Sequence, residues 1–157
     1  MARSNAEKIW ELMDDMPICM LVTRDNGALR ARPMGAYVER EEEAVYCLTD
    51  ESRHKDEEIR AHPQVCLVFA DTDDAYVSVS GRASISNDRE KIADLWSLES
   101  GAWWEGPDDP AIRLITIRPE FGEYWETSGK LASYAEMLLA TVTDREPDIG
   151  DNAKARL

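Results

Sequence analysis

Two short basic segments hold the residue types in this chain that could do chemistry. One is Arg30-Ala31-Arg32-Pro33-Met34, and the other is Thr49-Asp50-Glu51-Ser52-Arg53-His54-Lys55. Hydroxyls beside Lys and Arg at a helix start suit a phosphate, because free backbone N–H groups and the helix dipole add to the side-chain charge. The same spacing also describes a solvated helix face, with Arg53, Lys55, Glu57 and Glu58 in water. Spacing alone favours that plainer reading. Other constellations are missing: there is no Gly-x-Gly-x-x-Gly turn, Walker-type loop or Gly-x-Ser-x-Gly elbow. His54 and His62 lack Cys or Glu partners at metal-ligand spacing, so no metal site is expected.

Charge narrows the choice of partner. The 157 residues carry a formal net charge of −14, from 32 acidic and 18 basic groups. Such a field repels nucleic acid and anionic lipid, and neither is an expected partner. An anionic ligand would need a local cluster of cations. No apolar run approaches the ~20 residues that cross a bilayer. Met1–Glu7 has no apolar core of a signal peptide, so the start reads as cytoplasmic. Cys19, Cys47 and Cys66 sit in apolar segments and read as small buried hydrophobes in a reducing compartment.

The elements that must position these residues follow from punctuation and periodicity. Ser4 and Glu7 form a capping box, and Ala6, Ile9, Trp10, Met13 and Met16 continue at helical spacing until Pro17. Ile18–Thr23 reads as a buried strand, and Asn26-Gly27 as a hairpin turn returning along Ala28–Val38. Ala44–Leu48 is a third strand, followed by a short helix at Asp56–Ala61 before Pro63. Val65–Ala70 and Ala75–Ser86 are the next strands. A helix capped by Asn87 or Asp88 then presents Ile92, Leu95, Trp96 and Leu98. Gly101–Pro110 is a loop with two adjacent tryptophans; Ile112–Ile117 and Phe121–Glu126 form a last strand pair; Leu131–Val142 is a terminal helix. Trp10, Trp96 and Trp125 read as core.

This order predicts an α+β fold: about six short strands, antiparallel through tight turns, with flanking helices. A sheet of that size tends to close into a barrel to remove its free edges. One domain over residues 1–145 is expected, and the polar tail 146–157 is expected to be disordered.

A wider set of motifs then bears on function. Arg32-Pro33-Met34 is followed by Thr49-Asp50, with Lys55 six residues after Thr49, and then by Tyr76-Val77-Ser78-Val79-Ser80-Gly81-Arg82-Ala83. Leu95-Trp96, Ala102-Trp103-Trp104-Glu105-Gly106-Pro107 and Glu123-Tyr124-Trp125 come in turn. In this order they resemble the general stress protein branch of the pyridoxamine 5′-phosphate oxidase-like superfamily, over about Trp10 to Glu126. The resemblance implies a split β-barrel homodimer with FMN in a groove between the subunits. By position, Arg32 and the Pro33-Met34 backbone would border the flavin. Lys55 with His54 would hold its phosphate, and Thr49 and Asp50 would touch the ribityl chain or ring edge. Trp103 or Trp104 would reach it from the partner; a packing or dimer contact is an equal reading of that pair. The branch places Ser two residues before the Lys, where this chain has Arg53, and Ser52 stands one place earlier.

Two function classes remain open. One is an FMN-dependent oxidoreductase acting on a small molecule, in which the cofactor supplies the chemistry and no catalytic residue need stand out. The other is a non-catalytic flavin-binding, sequestering or sensing protein. Pyridoxamine phosphate oxidation itself is not expected, because the longer C-terminal segment rich in Arg and His that grips that substrate has no counterpart here.

Overall fold

The computed structural model describes residues 3–53, 55–71, 75–127, 130–143, 146 and 150–157, without the side chains of residues 53, 55 and 130–132. Helix α1 (Asn5–Asp14) starts at the expected capping box: the Ser4 side chain accepts from the Glu7 backbone N–H, and the Glu7 carboxylate accepts from the Ser4 backbone. Its apolar stripe, Ile9, Trp10 and Met13, is buried.

Among the described residues, eight strands form one antiparallel sheet: β1 (Ile18–Asp25), β2 (Ala28–Gly35), β3 (Tyr37–Glu39), β4 (Ala44–Asp50), β5 (Gln64–Ala70), β6 (Ala75–Ser86), β7 (Ile112–Thr127) and β8 (Gly150–Arg156). The hydrogen-bonded path runs β2-β1-β5-β6-β7-β4-β3, with β8 added on β7. Its two end strands, β2 and β3, are consecutive in the chain and separated only by Ala36, whose N–H donates to the Pro17 carbonyl. The sheet therefore curls until its ends meet, which gives a barrel split between β2 and β3. The α+β reading and the barrel architecture hold.

Three departures concern the strands. The expected Ala28–Val38 strand breaks at Ala36, where the chain passes from one end of the path to the other. The expected last pair is one long strand, β7. Its pairing with β6 slips between Ser80 and Gly81, and Pro119 sits opposite Gly81, so the ladder absorbs the proline at a bulge. A Cβ at Gly81 would lie 2.2 Å from the Arg118 carbonyl oxygen, a close approach that requires glycine. The tail expected to be disordered instead ends in β8, paired with β7 from Phe121↔Arg156 to Thr127↔Gly150. Ala153, Ala155 and Leu157 pack against the core while their neighbours face water.

Inside the sheet, Ile9, Met13, Leu21, Leu67, Phe69, Val77, Ile115 and Ile117 form the main core. Full burial of each such side chain stabilises by about 1.5–3 kcal/mol. A second cluster, Ala44, Tyr46, Leu48, Ile92, Leu95, Ile112 and Leu114, lies under helix α3 (Arg89–Leu95), which Asp88 caps. Trp10 is core as expected, and Trp96 packs partly buried on the second cluster. Trp125, by contrast, is 39% exposed, because its β7 register points it outward. Leu98 lies beyond the helix end and is exposed. Cys19 and Cys47 are buried and Cys66 half-buried, and none of the three is in a disulfide. Helix α2 (Lys55–Ala61) joins β4 to β5, and helix α4 (Lys130–Thr143) lies between β7 and β8.

Candidate functional site

Asp50 ends β4 at the point where the chain turns into α2. Its Oδ1 accepts from both the Ser52 backbone N–H (2.9 Å) and the Ser52 hydroxyl (2.6 Å), an Asx-type turn that shapes the entry to the 3₁₀ turn Glu51–Arg53. Its Oδ2 faces the indole N–H of Trp104 at 3.4 Å. Three of the expected site residues, Asp50, Ser52 and Trp104, are thus linked directly. Thr49 is 3% exposed, within the buried run of β4.

The loop that delivers Trp104 is fastened at a second point. The Tyr37 hydroxyl lies 3.4 Å from Ser97 Oγ and 3.2 Å from Ser100 Oγ, and Ser100 is buried. Trp104 and Trp96 pack with Tyr37 on the second core cluster. Trp103 is 69% exposed. Adjacent in sequence, the two tryptophans play different parts: one is a strut, and the other shows its ring to solvent.

Arg32 stands on β2 opposite Leu21 and reaches α2. Its Nη1 donates to Glu58 Oε2 at 2.9 Å, and the same oxygen accepts the Thr23 hydroxyl at 2.6 Å. Both ionic side chains are largely covered, at 17% for Arg32 and 9% for Glu58. Nη2 of Arg32 is buried with no hydrogen-bond partner, and so is Oδ1 of Asp56. A buried guanidinium N–H without an acceptor is costly, and it marks a place for an anionic oxygen.

Of the remaining expected residues, Pro33 is exposed opposite Met20, while the Met34 side chain is buried in the main core. The β2 alternation turns the Met34 side chain inward, opposite Cys19, which leaves its backbone at the strand surface. Lys55 is the first residue of α2, but its side chain, like all of His54, lies outside the described residues. Sequence reading missed Thr23, Tyr37, Glu58, Ser97 and Ser100. Glu58 looked like one more acid in a solvated helix, and nothing local marks it as the acceptor for Arg32.

The outward face of the sheet completes the geometry. Register puts Pro33, Met20, Val68 and Ser78 in one row across β2, β1, β5 and β6, and Tyr76 beside Trp125. Ile18 is 56% exposed, Met20 37%, Tyr76 42% and Phe121 43%. A face this apolar on a chain this charged is a surface prepared for contact.

A split antiparallel barrel, opened between β2 and β3, defines the class of fold. The chain belongs to the family described as pyridoxamine 5′-phosphate oxidase like, which matches residues 4–148. It is 31% identical over 118 residues to general stress protein 26 of Bacillus subtilis (strain 168), covering 73% of this chain and 83% of that one. A crystal structure of a general stress protein 26 from Jannaschia sp. CCS1 superposes with a TM-score of 0.76 at 27% identity, covering 97% of this chain and 98% of that chain. The fold is shared as well with a protein of Xanthomonas citri described as a general stress FMN/FAD binding protein, with a TM-score of 0.66 and 24% identity over 76% of this chain and 87% of that one.

Proposed function

We propose that this protein binds FMN as a homodimer, with the flavin between subunits, and works as an FMN-dependent oxidoreductase on a small molecule in a stress response. The observation that carries the reading is the unpartnered, buried Nη2 of Arg32, set beside the helix that Lys55 begins. An FMN phosphate carries close to two negative charges and needs paired cations when it leaves water. Arg32 supplies one guanidinium N–H already desolvated and held in place by Glu58. Lys55, His54 and Ser52 follow in the chain at the helix entry, where backbone N–H groups add their dipoles. Membership of the family supports the assignment, and so does the flavin-binding description of the Xanthomonas citri relative.

The residues present fit the group. Asp50 and Ser52 offer a fixed carboxylate and hydroxyl to a polyol chain, and the exposed Trp103 ring offers a flat apolar surface to a ring system. When bound, the flavin supplies hydride and electron transfer. The protein's own part is to seat the phosphate, hold Asp50 and Trp104 in register, and cover the ring. The apolar outward face, with Ile18, Met20, Tyr76, Phe121 and Trp125, supports the dimer, because pairing two such faces removes them from water.

The test is a flavin titration, following quenching of FMN fluorescence and comparing riboflavin. FMN bound at least about tenfold more tightly than riboflavin supports a phosphate-reading flavin site. Equal affinities would remove the phosphate role of this corner, and binding of neither would end the flavoprotein reading. For a flavin-loaded sample, bleaching of the flavin absorbance on addition of NADH or NADPH supports turnover. A loaded protein that neither donor reduces would instead be a flavin-sequestering module.

A further inference from the structure

A second basic cluster lies at the other end of α2, away from the corner formed by Asp50 and Arg32. Arg32 meets the helix at Glu58 and stands on β2 opposite the buried Leu21, whereas Arg24 and Leu29 stand on the outward face of the same hairpin. Just past its end is a cavity of about 710 Å³ lined by Arg24, Gly27, Leu29, His62, Gln64 and Arg82, among others. The residues come together through strand register. Arg24 pairs with Leu29 across the first hairpin, Gln64 with Arg82 across β5 and β6, and Arg82 with Arg118 across β6 and β7. Extending the β1–β5 register two residues beyond Val22↔Cys66 sets Arg24 opposite Gln64. One row on the outward face therefore sets Arg24 and Arg82 on either side of the Gln64 amide, with Arg118 one strand further on and His62 at the helix end beside them.

The charge state of this row is unusual for the chain. The chain holds 32 acids to 18 bases, yet the Arg24 side chain makes no hydrogen bond or ion pair with a described residue. Among the described residues Arg82 pairs with Glu120 alone, at 3.4 Å, and both side chains are 61% exposed. Such an exposed pair is worth little and yields readily to a stronger anion. Arg118 donates to the Glu42 backbone carbonyl rather than to a carboxylate. Gly27, with φ +85°, puts no side chain into the cavity, and Leu29 stands on the rim 77% exposed.

We propose that this pocket is a binding site for the phosphate monoester of a nucleotide-sized molecule, separate from the flavin corner. Two guanidinium groups, an imidazole N–H and an amide suit the several oxygens of a dianion, whereas a single carboxylate needs only one Arg fork. The volume falls in the range of pockets that enclose small organic ligands, roughly 300–1,000 Å³. Leu29 and Pro63 give the rim an apolar surface for the body of the ligand.

Calorimetric titration of the intact protein with AMP, adenosine and inorganic phosphate tests the site. AMP and phosphate bind, and adenosine binds at least about tenfold more weakly than AMP. Arg24→Gln with Arg82→Gln weakens AMP by about tenfold or more and leaves FMN affinity within about twofold. Both positions are on the surface, and an unchanged thermal midpoint shows that the variant folds. No binding of either phosphate probe at about 10 mM overturns the proposal, as does unchanged AMP affinity in the folded variant. A parallel loss of FMN affinity also overturns it, because it would put the flavin's own phosphate in this pocket. The AMP, adenosine and phosphate readouts stand whether or not the flavin reading is correct, and the FMN comparison rests on that reading.

Discussion

Arg32 and Glu58 form an ion pair of 2.9 Å whose acid also receives the Thr23 hydroxyl, leaving one guanidinium nitrogen of Arg32 buried and unpaired. The pair ties β2 to α2 and at the same time aims a cation. Its value to stability is modest while intact, because desolvation offsets most of the attraction. Its value as a support for a ligand-binding group is larger, since the guanidinium is fixed before any ligand arrives.

Removing Glu58 separates these two roles. Glu58→Ala leaves Arg32 charged and partly buried without its acid, and destabilises by about 2–3 kcal/mol, below the range for fully buried pairs because both groups keep some exposure. Chemical denaturation measures this. A loss under 0.5 kcal/mol, the usual scale of an indifferent surface change, would mean that the pair is solvated in solution.

Arg32→Ala together with Lys55→Ala weakens FMN binding by at least about tenfold and leaves riboflavin nearly unchanged. Unchanged FMN affinity in the folded double variant would place the phosphate elsewhere.

The two tryptophans respond differently. Trp104→Phe keeps most of the packing on the second cluster but loses the N–H toward Asp50, at a cost of about 1 kcal/mol in thermal or denaturant unfolding. Trp103→Ala leaves stability within about 0.5 kcal/mol, because its ring is 69% exposed, and shows its effect in flavin affinity or dimerisation. A large stability loss from Trp103→Ala would overturn this division.

Gly81→Ala forces a Cβ to 2.2 Å from the Arg118 carbonyl oxygen, in a ladder that cannot yield without parting β6 from β7. The expected cost is about 2 kcal/mol or more, read as a lowered unfolding midpoint. Soluble variant with an unchanged midpoint would show that the bulge shifts freely.

Acid stability carries a local signature at Glu42. Hydrogen bonds from Lys91, at 2.7 Å, and from the Tyr46 hydroxyl hold its carboxyl below the ordinary value of 4.5. A depressed folded value means that this contribution is present above the unfolded value and is lost as pH falls through the folded one. Glu42→Gln therefore lowers stability at neutral pH and flattens the fall below pH 4.5. Parallel pH profiles for the two proteins would count against it.

What the sequence determined by itself was local. The capping box at Ser4 and Glu7, the Asn26-Gly27 turn with both residues at positive φ, and the alternation of β6 follow from near neighbours and pattern alone, whereas β1 reads as wholly buried and in fact exposes Ile18 and Met20. Order of motifs along the chain was enough to indicate the family and the antiparallel α+β barrel. Tertiary structure decided what depends on which strand lies beside which. Ala36 as a crossing between the two ends of the sheet, and β7 running through Pro119, have no short-range signal. Strand β8 was invisible because its inward residues are two alanines, Ala153 and Ala155, with Leu157 just past its end, too small a pattern to distinguish from a polar tail. At the site, Asp50 with Ser52 could be read from adjacency. Trp104 on Asp50 and Glu58 beneath Arg32 could not, because 54 and 26 residues separate those partners and only barrel closure brings them together.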